Sequence, residues 1–449
     1  MRRSNTVLAI MIAAAMLIFA GCTVHPAGES DERSLAKQEG SPYAQPFEQR
    51  TPATLPSSLS ADDMVRVAIL NNADLEQKYW DWRSAIEQIP QDGTESTNLS
   101  LSLSTMIDRG STRLDQTTAG LGNDPMSDIV LPPKLSIAAR RALDNAKAAG
   151  LRFEKAKFAL RAKVLEAWAD YALSAELARL EDANVELLRA MAATTESLNR
   201  SGTAGQQDVL KAHNEIDMAA NDAAALRAQL VTQKASLSAL LGRQSDAEIP
   251  TPAAMPTTRP ITATDDDLLS LAARHNPELL ALAEEVHARN EGIALARLQY
   301  IPDFSLTGDT DLKGLTQTLA GSITVPFFRH EAIDAAVAQA QANLHSTQAM
   351  RRQTASDLRA QVVMDVVTLH DADRQLALLQ TSILPRARQV VVISRSAYES
   401  GHSSLLELLD SQRSLIDIER LIATLQTTRE KSLADLEAVT MCQLSPPPH

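Results

Sequence analysis

Apolar residues recur every three or four positions over unusually long stretches of this chain. From Ala138 to Asn199 there is no proline, and Gly150 is the only glycine. A second tract, from about Glu331 to Glu399, is interrupted only by Pro385. Each predicts one continuous helix. At 1.5 Å per residue the first would span roughly 90 Å, about twice the full thickness of a bilayer. After each comes a short Ser-Gly segment, and then a further helical tract, Gln206 to Leu241 and Ser404 to Leu444. Leu408, Leu415 and Ile422 recur every seven residues with Ile418 and Leu425 between them, a coiled-coil seam. Short turns between long helices predict antiparallel hairpins.

Four shorter segments have the period of two that marks a strand. Leu99, Leu101 and Leu103 alternate with Ser100, Ser102 and Ser104. Ile323, Val325 and Phe327 alternate with Ser322 and Thr324, and Phe304 and Leu306 share one face of Pro302 to Gly308. The fourth, DIVLPPKLSI from Asp128 to Ile137, carries Pro132 and Pro133, which do not belong in a central ladder. Apolar residues alternating with small polar ones suit a membrane barrel wall, and equally a half-buried soluble sheet. Four strands cannot close a barrel, but three chains would supply twelve, and lipid does not tolerate open edges. The pattern therefore predicts a homotrimer.

The plan occurs twice. SGTAGQQDVLKAH from Ser201 and SGHSSLLELLDSQ from Ser400 correspond at a constant offset of 199 residues. Upstream, Asn72-Ala73-Asp74-Leu75 corresponds to Asn276-Pro277-Glu278-Leu279, and Asp62 and Asp63 to Asp266 and Asp267. The expected organisation is a signal peptide at 1–21, an extended N-terminal tether at 22–58, a first repeat at 59–249, a proline-rich linker at 250–263, a second repeat at 264–442 and a tail at 443–449. Asp62 and Asp266 are expected as helix caps.

Composition narrows the class. Aromatics make up 3% of the chain and the formal net charge is −13, a poor balance for binding nucleic acid. Arg2 and Arg3 precede an apolar run from Val7 to Ala20 that ends in Phe19-Ala20-Gly21-Cys22, which resembles a bacterial lipobox. Cleavage before Cys22 would let that cysteine carry lipid such as palmitate, leaving Cys442 without a disulfide partner. His275 and His287 are too far apart for an HExxH zinc site, and no Walker loop, dinucleotide fingerprint or nucleophile elbow is present. No enzyme, metal site or cofactor is expected.

The ordered set of these segments resembles the TolC-like outer membrane factor family, whose members are often lipoproteins. Asn276 to Leu306 and Tyr398 to Leu415 carry the resemblance most clearly, and it runs from about Leu59 to Cys442. It implies a mainly α fold with a small β part. Tandem-duplicated hairpins would form a trimeric periplasmic α-barrel, and four strands per chain would contribute to a twelve-stranded transmembrane β-barrel. The implied function is the outer membrane channel-tunnel of a tripartite efflux system, passing small molecules or ions. The implied partners are a periplasmic adaptor (a membrane fusion protein), an inner-membrane pump of the resistance-nodulation-division type and outer membrane lipid. The implied place is the outer membrane, lipid-anchored and extending into the periplasm.

The two Ser-Gly turns resemble the family's periplasmic tips. Glu407 and Asp410, three apart and so on one helical face, stand where the family places an acidic pair at its entrance constriction. Asp208 matches the acid of the first tip and Tyr398 a gate tyrosine. Gly202, Thr203, Gly401, His402, Ser403 and Leu405 are the expected adaptor contacts. Ser403 stands where the best-known pattern has a basic residue, a departure that bears on how the closed tip is held. The competing class is a periplasmic coiled-coil scaffold lipoprotein without a pore, which needs the long helices but no membrane-competent strands.

Overall fold

The structure is a computed structural model. It describes residues 23–50, 60–94, 99–108, 111–123, 131–244, 248–252, 254–256, 258–311 and 317–444. The signal segment and Cys22 lie outside these residues. The chain divides into two compact units: one gathers the segment up to Ser41, Lys78–Arg152 and Glu278–Gln353, the other Pro42–Gln77, Phe153–Pro277 and the chain from Thr354 on.

The first unit holds the sheet. Strands β1 (Leu99–Asp108), β2 (Ser111–Asn123), β3 (Asp303–Asp311) and β4 (Gln317–Thr324) pair antiparallel in sequence order. The alternation seen in the sequence becomes two unlike faces. On one, Ser104 Oγ meets Thr118 Oγ1 at 2.7 Å and Ser305 Oγ meets Ser322 Oγ at 2.5 Å. On the other, Leu101 and Leu103 are 80% and 72% exposed and Ile323 is 63% exposed.

The second strand is not where the sequence pattern placed it. It lies at Ser111–Asn123, and Pro132 and Pro133 instead open the long helix α4 (Pro132–Arg200). Proline suits a helix's first turn, where its missing N–H has no intrahelical acceptor in any case. Phe327, expected on the fourth strand, follows its end.

The N-terminal segment is not an extended tether throughout. Helix α1 (Glu29–Glu39) has Glu29, Asp31 and Glu32 in its first turn and Lys37 in its last, which complements the helix dipole. Helix α3 (Ala73–Gly93, after α2, Ala61–Asn71) receives it: Trp82 Nε1 donates to Glu32 Oε1 at 2.8 Å, and Val24 N donates to Gly93 O at 2.9 Å. The lone glycine of α4 belongs to this contact. A Cβ on Gly150 would stand 2.8 Å from the Trp82 ring, so the buried indole fits only against bare backbone.

The second unit is built from helices. Besides the lower part of α4 it contains α5 (Gln206–Leu240), the later part of α8 (His330–Leu378), a π-helical turn at Leu379–Ile383, α9 (Leu384–Glu399) and α10 (Leu405–Thr440). The predicted helix from Glu331 to Glu399 is thus two helices, parted at the proline. Two short helices, α2 and α6 (Asp265–His275), repeat one another in detail. Each starts with a capping box, but Asp62 and Asp266 have no part in it. Ser60 with Asp63, and Thr264 with Asp267, exchange side-chain and backbone bonds of 3.1–3.4 Å.

The Asn-x-x-Leu echo has a mechanical purpose that the sequence did not disclose. Asn72 Nδ2 donates to Leu240 O at 3.1 Å, and Asn276 Nδ2 donates to Val439 O at 3.3 Å. Each asparagine thus fastens its short helix to the end of a long hairpin helix, satisfying a carbonyl that the helix terminus leaves free. Substituting either Asn72 or Asn276 by alanine is expected to lower unfolding stability by about 1–2 kcal/mol, the cost of orphaning a half-buried carbonyl. Thermal melts followed by circular dichroism would measure it, and an unchanged melt in both variants would remove the anchoring role.

Candidate functional site

The two hairpin tips close with the same backbone bonds. At the end of α4, Gly202 N donates to Asn199 O at 2.9 Å and Thr203 N to Leu198 O at 2.8 Å. At the end of α9, Gly401 N donates to Tyr398 O at 3.0 Å and His402 N to Ala397 O at 2.8 Å. These are Schellman closures, which need a left-handed residue; Gly202 has φ 78° and Gly401 φ 75°. The turns adjoin one another: a Cβ on Gly401 would lie 3.6 Å from Thr203 Cγ2.

The expected site residues separate into four environments. Glu407 and Asp410 are exposed on α10 and border an open groove of about 290 Å³, with Ser411 and Ser414 beside them and Ala387, Val390 and Ser394 of α9 opposite. Asp208 is not in that groove; its carboxylate accepts from Gly205 N at 3.4 Å at the start of its own helix. Tyr398 is turned inward. It is 5% exposed, and its hydroxyl donates to Thr195 Oγ1 of α4 at 2.9 Å. Gly202, Thr203, Gly401 and His402 are exposed at the turns, and Ser403 is half-buried.

Leu405, expected among the contacts, is placed differently from the turn residues. It is 3% exposed, in an apolar cluster with Leu188, Met191, Leu408 and Leu409, so as placed it packs a seam and presents nothing outward. Where a basic residue was missing at Ser403, other groups join the hairpins. Arg413 pairs with Glu215 and Arg420 with the buried Glu181, besides the Tyr398–Thr195 bond.

Farther along α10 the charges are deeply placed. Glu437, 1% exposed, takes Arg161 of α4 and Arg259 Nη1, the latter at 3.2 Å. Arg429 donates to Asp373 at 2.6 Å, to Glu430 at 3.0 Å and to Arg259 O at 2.8 Å. The proline-rich linker is therefore pinned by its one arginine to two acids of α10. Among the described residues, no group of three His, Cys, Asp or Glu side chains is placed to hold a metal.

A carboxyl pair between repeats also escaped sequence reasoning. Burial, and then a hydrogen bond with Asp435 of α10, pushes Glu166 of α4 up to about 7. Lys431 opposes the shift and Asp170 adds to it. Burial likewise pushes Asp365 of α8 up to about 6, with Asp435 adding to it and Gln361 opposing. These acids lie on three different helices, and no local pattern marks them. The folded state holds a proton on Glu166 that the unfolded state gives up near the ordinary 4.5, so stability falls as pH rises from there through about 7. Glu166→Gln is expected to flatten that fall. Urea unfolding between pH 5 and pH 8 would read it, and an unaltered slope would show that the pair does not titrate in this range.

Residues 268–440 match the family model described as outer membrane efflux protein. That stretch, which is most of the second repeat, is similar to the outer membrane efflux proteins. Among curated proteins it resembles the outer membrane protein OprJ of Pseudomonas aeruginosa, with 26% identity over 171 residues. That match spans 36% of this chain and 36% of OprJ. The fold extends further than the sequence match. The outer-membrane channel OprN superposes with a TM-score of 0.74 at 16% identity, over 93% of this chain and 99% of that one. The open state of the MtrE outer membrane channel of Neisseria gonorrhoeae gives 0.71 at 19% identity, over 94% and 99%.

Proposed function

We propose that the protein is the outer membrane channel-tunnel of a tripartite efflux system, working as a homotrimer. The observation that carries this reading is the four-stranded sheet with one small-polar face and one apolar face, whose leucines are exposed. A sheet whose outer strands β1 and β4 each pair with one neighbouring strand among the described residues, and whose Leu101 and Leu103 are uncovered, is ill suited to water. Three copies would join edge to edge into twelve strands, turning leucine to lipid and serine to a water-filled lumen. Phe327 and Phe328, 76% and 92% exposed just after β4, suit the membrane–water interface. This sheet supports the channel over a scaffold lipoprotein, which has no use for it.

The helical hairpins would form the periplasmic barrel, with six tips per trimer facing an adaptor and an inner-membrane pump. Exposed Gly202, Thr203, Gly401 and His402, with Ser403, are the surface offered to the adaptor. Glu407 and Asp410 would ring the constriction with six carboxylates, which select cations electrostatically and set how closely the tips approach. Asp208, at the first tip, and Tyr398, just before the second, are holding residues: one fixes a helix start, the other ties two hairpins. Passage is passive, with the pump supplying the energy. Lipid on Cys22 would anchor the chain next to Thr23, whose hydroxyl lies 3.2 Å from that of Thr94, shortly before β1. The adjoining Val24–Gly93 backbone bond would keep the anchor beside the sheet.

Single-channel conductance in a planar bilayer tests the reading. The wild-type protein is expected to give a small, cation-selective conductance that rises or loses selectivity in Glu407→Ala/Asp410→Ala. A conductance unchanged by the substitutions would keep the channel and remove the gate. A folded, monomeric protein without conductance would favour the scaffold.

A further inference from the structure

A pocket of about 120 Å³ opens among the linker, α6, α8 and α10, all within the second unit. Its walls are apolar: Ile261 and Ala263 of the linker, Leu268 of α6, Val366 and Leu369 of α8, and Leu436 of α10. Its charged groups are unevenly placed. Arg429 is deep, with its side chain 5% exposed, and its three nitrogens are engaged by Asp373, Glu430 and Arg259 O. Asp265, Asp373 and His370 have side chains 45–60% exposed and so stand at the opening, with His370 Nε2 3.6 Å from Asp265 Oδ1. Asp373 cancels Arg429, and Arg259 cancels Glu430, which leaves the charge of Asp265 over. Asp266 and Asp267 follow it in the first turn of α6 and outweigh the positive end of that helix's dipole. The first repeat has the same frame without these groups: Ala61 stands where α6 has Asp265, and Leu230 where α10 has Arg429.

We infer that this pocket is a binding site for a small aliphatic ammonium, taken tail first, with the charged head held at the opening by Asp265 and Asp373. The order of the groups dictates the direction. A cation entering head first would meet Arg429 in apolar surroundings, where like charges repel most strongly. A carboxylate would find Arg429 already paired and Asp265 beside it. A neutral chain would fill the walls and leave the acids unused. An ammonium on a short alkyl stem satisfies both ends, as a lysine does when its stem lies on apolar surface and its head stays in water. Size limits the stem. An apolar cavity of about 150 Å³ admits benzene, so this one admits roughly four or five carbons. The lining comes from four elements, so such a ligand braces the linker, α6, α8 and α10 against one another at the end of α10 away from its tip. None of its residues belongs to a tip or to the sheet, and the site stands whether or not the chain is a channel.

Methyl NMR of the full-length protein in detergent, labelled at the isoleucine δ1 carbons, tests the site at about pH 8, where an ordinary histidine is neutral and an alkylamine is charged. n-Butylammonium is expected to shift the Ile261 signal, which Ile261→Val identifies, and to saturate it. From ethyl- to butylammonium the affinity is expected to rise about fourfold per methylene, and to stop rising beyond pentylammonium. 1-Butanol is expected to bind about threefold or more weakly than n-butylammonium, the contribution of an exposed ion pair, and butyrate not to bind. Asp265→Asn is expected to weaken n-butylammonium by the same factor. It leaves α6 capped, because the capping box is made by Thr264 and Asp267. Ala263→Leu fills the pocket from a half-buried wall, keeps every charge, and is expected to abolish the saturable shift. Butanol or butyrate binding as tightly as n-butylammonium would overturn the proposal. So would an affinity that keeps climbing through hexyl- and octylammonium, which marks partition into detergent. A shift undiminished by either substitution, or no shift in the wild-type protein, would overturn it as well.

Discussion

A charge taken out of water must meet its opposite, and helix α10 is arranged around that requirement. Glu437 is closed in by Arg161 and Arg259, and Arg429 by Asp373 and Glu430. Removing one partner of such a pair costs about 3–5 kcal/mol, because the other is left charged in a poor solvent. These contacts tie α10 to α4, to α8 and to the linker at once. One helix of the second repeat thus fixes the register of a helix of the first. The antiparallel seam supplies the area of contact, and the buried ions decide where along the seam it locks.

The consequence reaches the tips. With α10 set against α4, its first turn brings Leu405, Leu408 and Leu409 onto Leu188 and Met191, and leaves Glu407 and Asp410 on the opposite side. A period of 3.6 does the sorting. Two residues adjacent in sequence, Leu405 and Leu406, end with opposite exposure for this reason: one is buried and the other is 63% exposed. The acids face the groove because the leucines have somewhere better to be.

Much of this was legible in the chain. The long helices, the hairpin turns and three of the four strands follow from period, glycine and proline, which act locally. The second strand is not legible, because STRLDQTTAGLGN has no clean alternation, while the nearby DIVLPPKLSI has the apolar run of a strand although its prolines open a helix. Helix α1 was hidden by a composition rich in charge; Trp82 and Glu87, 50 and 54 residues away from their partners, hold it in place. At the site, spacing placed Glu407 with Asp410 but could not say that Tyr398 turns away from them, or that Leu405 is sealed. Those are choices between faces, settled by which partner helix arrives. The Glu166–Asp435 pair needs two helices from different repeats to meet, so nothing short-range announces it.

The asparagine anchors and the tip glycines together make a ruler. From Gly202 to Leu240, and again from Gly401 to Val439, the chain counts the same 38 residues. Each run is α-helix from Gln206 or Leu405 onward, so each descending helix measures about 51 Å from its start to its anchored end. Upstream the repeats keep no such equality: Asn72 lies 130 residues before its tip glycine and Asn276 lies 125 before its own. Length varies where the chain climbs and is held constant where it returns. An insertion of one helical turn in a single descending limb would lift one tip out of plane with the other by about 5 Å. Equal limbs therefore keep the two turns level, and a change of length in one needs a matching change in the other to keep them so.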